Sequence, residues 1–164
     1  MKRDSGFTLI EVMTALAILA LLAAIAAPSL TTTVQNGRIA SQANDLLAAF
    51  ASARNEAIRR GLPVSVSAGV AGGGAGYEAG WCIHTGANCA GAEIFVHEAL
   101  NQSGIQIAES ATQVTFDRLG QKTAPGADFV ITLSPVTCPA GDERIRQITI
   151  QATGRGSIQR LSCP

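Results

Sequence analysis

Three regimes of apolar and polar positions follow one another along the chain. From Phe7 to Ala27, twenty-one residues are dominated by Leu, Ile and Ala, and Glu11 is their one ionisable side chain. As a helix rising 1.5 Å per residue, such a run spans about 31 Å, the thickness of a bilayer's hydrocarbon core. Past Pro28 the pattern becomes amphipathic. Ile39, Ala43, Leu46, Phe50, Ala53 and Ala57 recur at alternating spacings of four and three, which places them on one helical face. Arg38, Gln42, Asp45, Arg54 and Arg59 fall largely elsewhere, and Arg59 and Arg60 sit in the last turn, where cations complement the helix dipole. Gly61 and Pro63 end the helix. A coiled-coil seam would need a longer run with fewer alanines, so the stripe predicts packing on a sheet.

From Pro63 the period changes to two. Val64–Ser67 alternates, and Gly80–His84, Glu93–His97, Ile105–Ala108, Gln113–Phe116, Asp128–Leu133, Ile145–Ala152 and Ser157–Leu161 read as short strands, the last two as a hairpin. Gly69–Gly76, Gly120, Pro135–Gly141 and Gly154–Gly156 are the breaks. The expected architecture is α+β: one long amino-terminal helix, transmembrane and then amphipathic, covering one face of six to eight antiparallel strands. The expected segments are a leader at 1–6, a membrane helix at 7–30, an amphipathic helix at 31–62 and a β domain at 63–164. No internal repeat is evident.

Composition sharpens this picture at two points. With 164 residues and 47% apolar content the chain can bury a core of ordinary size, and twelve basic against twelve acidic residues exclude a histone-like electrostatic binder. Lys2 and Arg3 precede the apolar run and no basic residue follows it until Arg38, so the positive-inside rule keeps residues 1–6 in the cytoplasm and exports the remainder. A secretory signal peptide cleaved near Ala24-Ile25-Ala26 is the competing reading. It fits less well, because the apolar run is long for such a signal and carries a carboxylate near its start.

Gly6-Phe7-Thr8-Leu9-Ile10-Glu11, after a short basic leader, resembles the export signal of type IV pilins and type II secretion pseudopilins. Further along, Ala53-Arg54-Asn55-Glu56-Ala57-Ile58-Arg59-Arg60-Gly61-Leu62-Pro63-Val64, then Gly80-Trp81-Cys82 and a late Gly154-Arg155, are similar to the GspH/FimT family of minor pilins and pseudopilins, over nearly the whole chain. The resemblance implies a pilin-like fold and a prepilin peptidase that cuts between Gly6 and Phe7, with N-methylation of Phe7. It implies an anchor in the bacterial inner membrane, a periplasmic domain, and assembly with other pilin or pseudopilin subunits through the amino-terminal helix. Glu11 takes on a task there. An ionised carboxylate in a membrane helix costs about 2.5 to 3.5 kcal/mol at the centre and less toward an edge, so it pairs or snorkels. The family's partner for it is the methylated terminal amine of the adjacent subunit. Pro28 falls where pilins carry a helix-bending proline.

Four cysteines, all beyond the apolar run, suit an oxidising exported compartment. Pairs at Cys82/Cys89 and Cys138/Cys163 are sequence-local, although the sequence allows three connectivities. A metal site from Cys82, His84, Cys89 and His97 is the rival, but no C-x-x-C spacing supports it, and the two histidines read as surface strand residues. No metal and no cofactor are expected. Nor is an enzyme: Gly72-Gly73-Gly74-Ala75-Gly76 lacks the Lys-Ser/Thr of a phosphate loop, and neither a G-x-S-x-G elbow nor an H-E-x-x-H pair occurs. A secreted periplasmic enzyme or binding domain therefore stands as the more remote alternative.

Charge is unevenly distributed. Glu78–Asp117 contains five acids and no Lys or Arg, whereas Arg144–Pro164 contains Arg144, Arg146, Arg155 and Arg160 and no acid. In FimT-type members a late Gly-Arg-x-Arg string is associated with DNA uptake. Here the string is Gly154-Arg155-Gly156-Ser157, so Arg155 alone carries over, and Arg160, Arg144 and Arg146 are the other candidate phosphate contacts. The sequence thus predicts a minor pilin or pseudopilin, with a DNA-binding minor pilin as the alternative.

Overall fold

The computed structural model describes residues 7–69, 76–90, 93–100 and 104–164, and within these it leaves out the side chains of residues 25–29. The chain divides into two compact units, Met1–Asn36 and Gly37–Pro164.

Helix α1 runs from Leu9 to Arg60 and so belongs to both units. In the first unit its described apolar side chains are exposed. Leu9, Ile10, Leu16, Leu19 and Leu22 are all exposed, and Phe7 just ahead of the helix is 84% exposed. Among the described residues no helix is long and apolar enough to cross a membrane. The apolar run of the sequence continues through Ile25, Ala26 and Ala27, whose side chains lie outside the described residues.

In the second unit the 3.6-residue periodicity becomes burial. Ile39, Ala43, Leu46, Phe50, Ala53 and Ala57 are each at most 1% exposed, so the stripe read from the sequence is the face that packs. The helix stops where Gly61 adopts a left-handed φ of 67° and its N–H closes on the Ala57 carbonyl at 3.0 Å, a conformation that favours glycine. Near that end Glu56 takes hydrogen bonds from Arg59 and Arg60, which hold its carboxyl below the ordinary range.

Nine strands are described: β1 Val64–Ala68, β2 Trp81–His84, β3 Glu93–His97, β4 Ile105–Glu109, β5 Gln113–Phe116, β6 Lys122–Ala124, β7 Phe129–Pro135, β8 Ile145–Ile150 and β9 Gly156–Leu161. They form a five-stranded sheet in the order β3-β2-β1-β5-β6 and a four-stranded sheet in the order β4-β7-β8-β9, with antiparallel pairing throughout. Alternation in β7 puts Phe129, Ile131 and Leu133 inward, and β8 does the same with Ile148 and Ile150. Both sheets and the helix share one core, in which the rings of Phe50, Tyr77 and Phe129 meet at centroid distances of 5.4 to 6.0 Å.

Two elements depart from the sequence reading. Strand β6 has no apolar alternation, because its inward position is Lys122, whose ammonium is satisfied by the carbonyls of Pro125 and Ala127. Tyr77 opens a short 3₁₀ turn, Tyr77–Ala79, and is wholly buried; burial and the nearby Glu109 push its phenol well above the usual range. The predicted glycine-rich connection Gly69–Gly76 falls mostly on residues 70–75, outside the described residues.

Candidate functional site

The amino-terminal segment is organised around Thr8 and Glu11. Thr8 precedes the first helical residue, and its Oγ1 accepts the Glu11 N–H at 3.3 Å while the Thr8 N–H reaches the Glu11 carboxylate at 3.5 Å. This reciprocal arrangement is a capping box, and a carboxylate in the first turn also suits the positive end of the helix dipole. The Thr-x-x-Glu spacing was legible in the sequence, where Glu11 was read as an intersubunit partner or a snorkelling carboxylate and not as a cap. Gly6 lies outside the described residues, as does the side chain of Pro28, whose position falls inside α1.

The cysteines form two disulfides, Cys82–Cys89 and Cys138–Cys163. The second ties the loop before β8 to the chain terminus, where the Cys163 N–H donates to the Asp142 carbonyl at 2.8 Å and the Gly141 N–H to the Cys163 carbonyl at 3.1 Å. Cys82, His84 and Cys89 do bring their ligating atoms within 4.8 Å of one another, but both thiols are spent in the disulfide. The reading of His84 as a surface residue is corrected. His84 is fully buried, with Nδ1 3.0 Å from the Gly86 carbonyl and Nε2 2.8 Å from Ser67 Oγ, and burial holds its pKa below the ordinary value. His97 stacks on the buried Trp81 at a centroid distance of 3.9 Å.

The four carboxy-terminal arginines do not share one surface, and this too is a correction. Arg144 and Arg146 are buried, at 6% and 8% exposure, and only Arg155 and Arg160 are exposed. The cause is strand alternation: Arg146 lies on the inward face of β8 with Ile148 and Ile150, while Arg144 donates to the Thr137 carbonyl at 3.3 Å. Arg155 lines a cleft with Arg54 and Asn55, whereas Arg160 lines another with Arg146.

Gly154 has a structural task. It is buried at a φ of 75°, and a Cβ there would stand 2.0 Å from the Gly120 carbonyl oxygen. The same oxygen accepts a hydrogen bond from Arg54 Nε at 2.9 Å. Helix, β5–β6 loop and β8–β9 hairpin thus meet at one carbonyl, which gives a physical reason for glycine before Arg155.

Comparison with known proteins agrees with this geometry. The family profile described as Type II transport protein GspH matches residues 42–154, and the prokaryotic N-terminal methylation motif matches residues 1–27. No curated protein matches the chain. Two crystal forms of the type IV minor pilin FimU from Pseudomonas aeruginosa strain PAO1 are similar in fold. One gives a TM-score of 0.62 at 19% identity over 75% of this chain and 89% of that one. The other gives 0.58 at 20% identity over 73% and 90%. A globular part with the GspH pattern, behind a methylation signal and an exposed apolar helix, is that of a filament subunit: the chain belongs to the GspH family, as a membrane-anchored minor pilin or pseudopilin that assembles with other pilin subunits.

Proposed function

We propose that prepilin peptidase cuts this chain between Gly6 and Phe7, that the new terminus at Phe7 is N-methylated, and that Glu11 pairs with the terminal amine of an adjacent subunit as the helices enter a filament. The helix of residues 7–30 holds the subunit in the inner membrane before assembly, with its start in the cytoplasm and residues 31–164 on the periplasmic side. Lys2 and Arg3 on one side of the run, and two disulfides on the other, support that orientation. The machine is of the type IV pilus or type II secretion kind, and the chain's role in it is structural.

The observation that carries the reading is the contrast within α1. From Ile39 onward its apolar face is buried in the domain, while the apolar side chains described from Phe7 to Ala24 are exposed on every side, with Glu11 as their one charge. A surface of that kind is covered by lipid or by other helices. In the separate subunit Glu11 caps its own helix. Its contact to the Thr8 amide is long, at 3.5 Å, so handing the carboxylate to a neighbour's ammonium exchanges a weak contact for a charge-assisted one.

The test is Glu11→Ala in cells that make the filament. The expected result is an unchanged amount of the subunit in the membrane fraction and a strong loss from sheared, purified filaments. Equal recovery in filaments would reject the pairing role, and a native protein beginning near Ala27 instead of Phe7 would reject the processing step.

A further inference from the structure

We infer that the cleft between α1 and strands β8 and β9 is a carboxylate site, in which Arg146 and Arg160 together hold an acidic side chain of the neighbouring filament subunit. The inference rests on the assembly reading above and extends it to the globular domain.

The two arginines are placed by register. Arg146 and Arg160 are direct cross-strand partners in the β8–β9 ladder, one step beyond the Ile148–Ile158 pair along the same face. That face looks toward the helix, and Ala40, Ala43, Asn44 and Ile158 complete a cleft of about 210 Å³ around the two side chains. Like charges directly opposite each other on a sheet are destabilising. One of them is also removed from water: Arg146 is 8% exposed, and burial together with the facing Arg160 pulls its pKa below the ordinary arginine value.

Compensation inside the subunit is slight. Arg146 donates to the carbonyls of Glu143 and Ile145 at 3.2 and 3.1 Å, which satisfies hydrogen bonds but supplies no negative charge. Among the described residues, the ion pairs found join Glu56 to Arg59 and to Arg60, and none reaches Arg146 or Arg160. A buried guanidinium that faces a second one across the ladder, with the nearby Glu143 offsetting it only in part, is costly until an anion enters, and a planar carboxylate matches the guanidinium fork.

A protein carboxylate fits better than a nucleic-acid backbone. A duplex needs several exposed cations along a track, but Arg146 is recessed, and Arg155 belongs to a separate cleft with Arg54 and Asn55. Carboxylates are available on such a domain: residues 78–117 of this one carry five acids and no Lys or Arg. Glu78 and Glu109 lie near enough there to raise the Glu109 pKa, after burial, by mutual repulsion.

The test uses the full-length chain in detergent micelles, with thermal unfolding followed by the fluorescence of Trp81. Glutarate serves as the side-chain probe, with inorganic phosphate and a short DNA duplex as comparators, all at matched ionic strength. Glutarate is expected to raise the unfolding midpoint of the wild type by a few degrees. Arg160→Gln is expected to unfold at a higher temperature than the wild type without anion, since it relieves the facing charges, and to lose the glutarate response; Arg155→Gln keeps that response. In cells, Arg160→Glu should reduce recovery in filaments with its membrane level unchanged. The inference is overturned if glutarate shifts neither chain or shifts both equally, if only phosphate or DNA stabilises, or if Arg160→Glu is recovered as well as the wild type. Normal filament recovery of Glu11→Ala beside an intact glutarate response would instead strike the helix-pairing reading and leave the cleft standing.

Discussion

Replacing Gly154 by alanine adds one methyl group at the point where the helix, the β5–β6 loop and the β8–β9 hairpin meet. Two costs follow. The residue sits at a φ of 75°, and holding an L side chain in the left-handed region costs about 1 to 2 kcal/mol. The new Cβ would also lie 2.0 Å from the Gly120 carbonyl oxygen, so loop and hairpin must part by about an ångström. That shift breaks the 2.9 Å hydrogen bond from Arg54 to the same oxygen, worth about 1.5 kcal/mol at the lower end of the range for a charged donor, since Arg54 is only partly buried. The total is about 3 kcal/mol. Gly141→Ala is the internal control: its φ is 88°, nothing stands within 4 Å of the added methyl, and only the backbone cost of about 1 to 2 kcal/mol applies. Urea unfolding of the full chain in micelles, read by the single Trp81, measures both. Equal losses for the two variants would refute the steric argument. So would additivity of Gly154→Ala with Arg54→Met, because both act on one hydrogen bond and should couple.

Further outcomes follow from the disulfides and from Glu109. Removing Cys138–Cys163 with paired serines, across a sequence separation of 25, should cost about 3 kcal/mol in the same unfolding assay, and an unchanged midpoint would show that the terminus is held by other contacts. Burial and the nearby Glu78 raise the Glu109 pKa in the folded chain, so the folded state gives up that proton later than the unfolded one, and stability is lost as pH climbs from 4.5 through the raised value. Glu109→Gln should therefore be more stable than the wild type at pH 7 and equal to it below the carboxylate range; equal pH profiles for the two would reject this.

Much of the fold was legible because its signals are periodic. The helical stripe from Ile39 to Ala57 and the alternation in β7 and β8 translate directly into burial, since each is a run of apolar residues with one repeat distance. Strand β6 was not legible, because a buried lysine satisfied by two carbonyls breaks the pattern that defines a strand in sequence. The site divided the same way. Four cysteines marked the disulfides, but the arginines were read together as candidate phosphate contacts when Arg146, on the interior strand β8, is buried and its partner on the same face, Arg160 on the edge strand β9, is exposed. His84 was misread for a related reason: a polar residue in a strand is taken as outward, yet Ser67 and the Gly86 carbonyl satisfy it inside. The histidine's partners are distant in sequence or in a loop, where no repeat distance announces them.

One continuous helix supplies the exposed apolar head and, from Ile39 to Ala57, the face buried in a core shared by both sheets. Within the unit Gly37–Pro164 that face is gripped over about five turns. Extracting it means sliding the whole gripped face at once, a shear in which many contacts yield together, and not the peeling of a strand one bond at a time. The globular unit would thus give up this helix only together with its whole core, because the helix is also its keel.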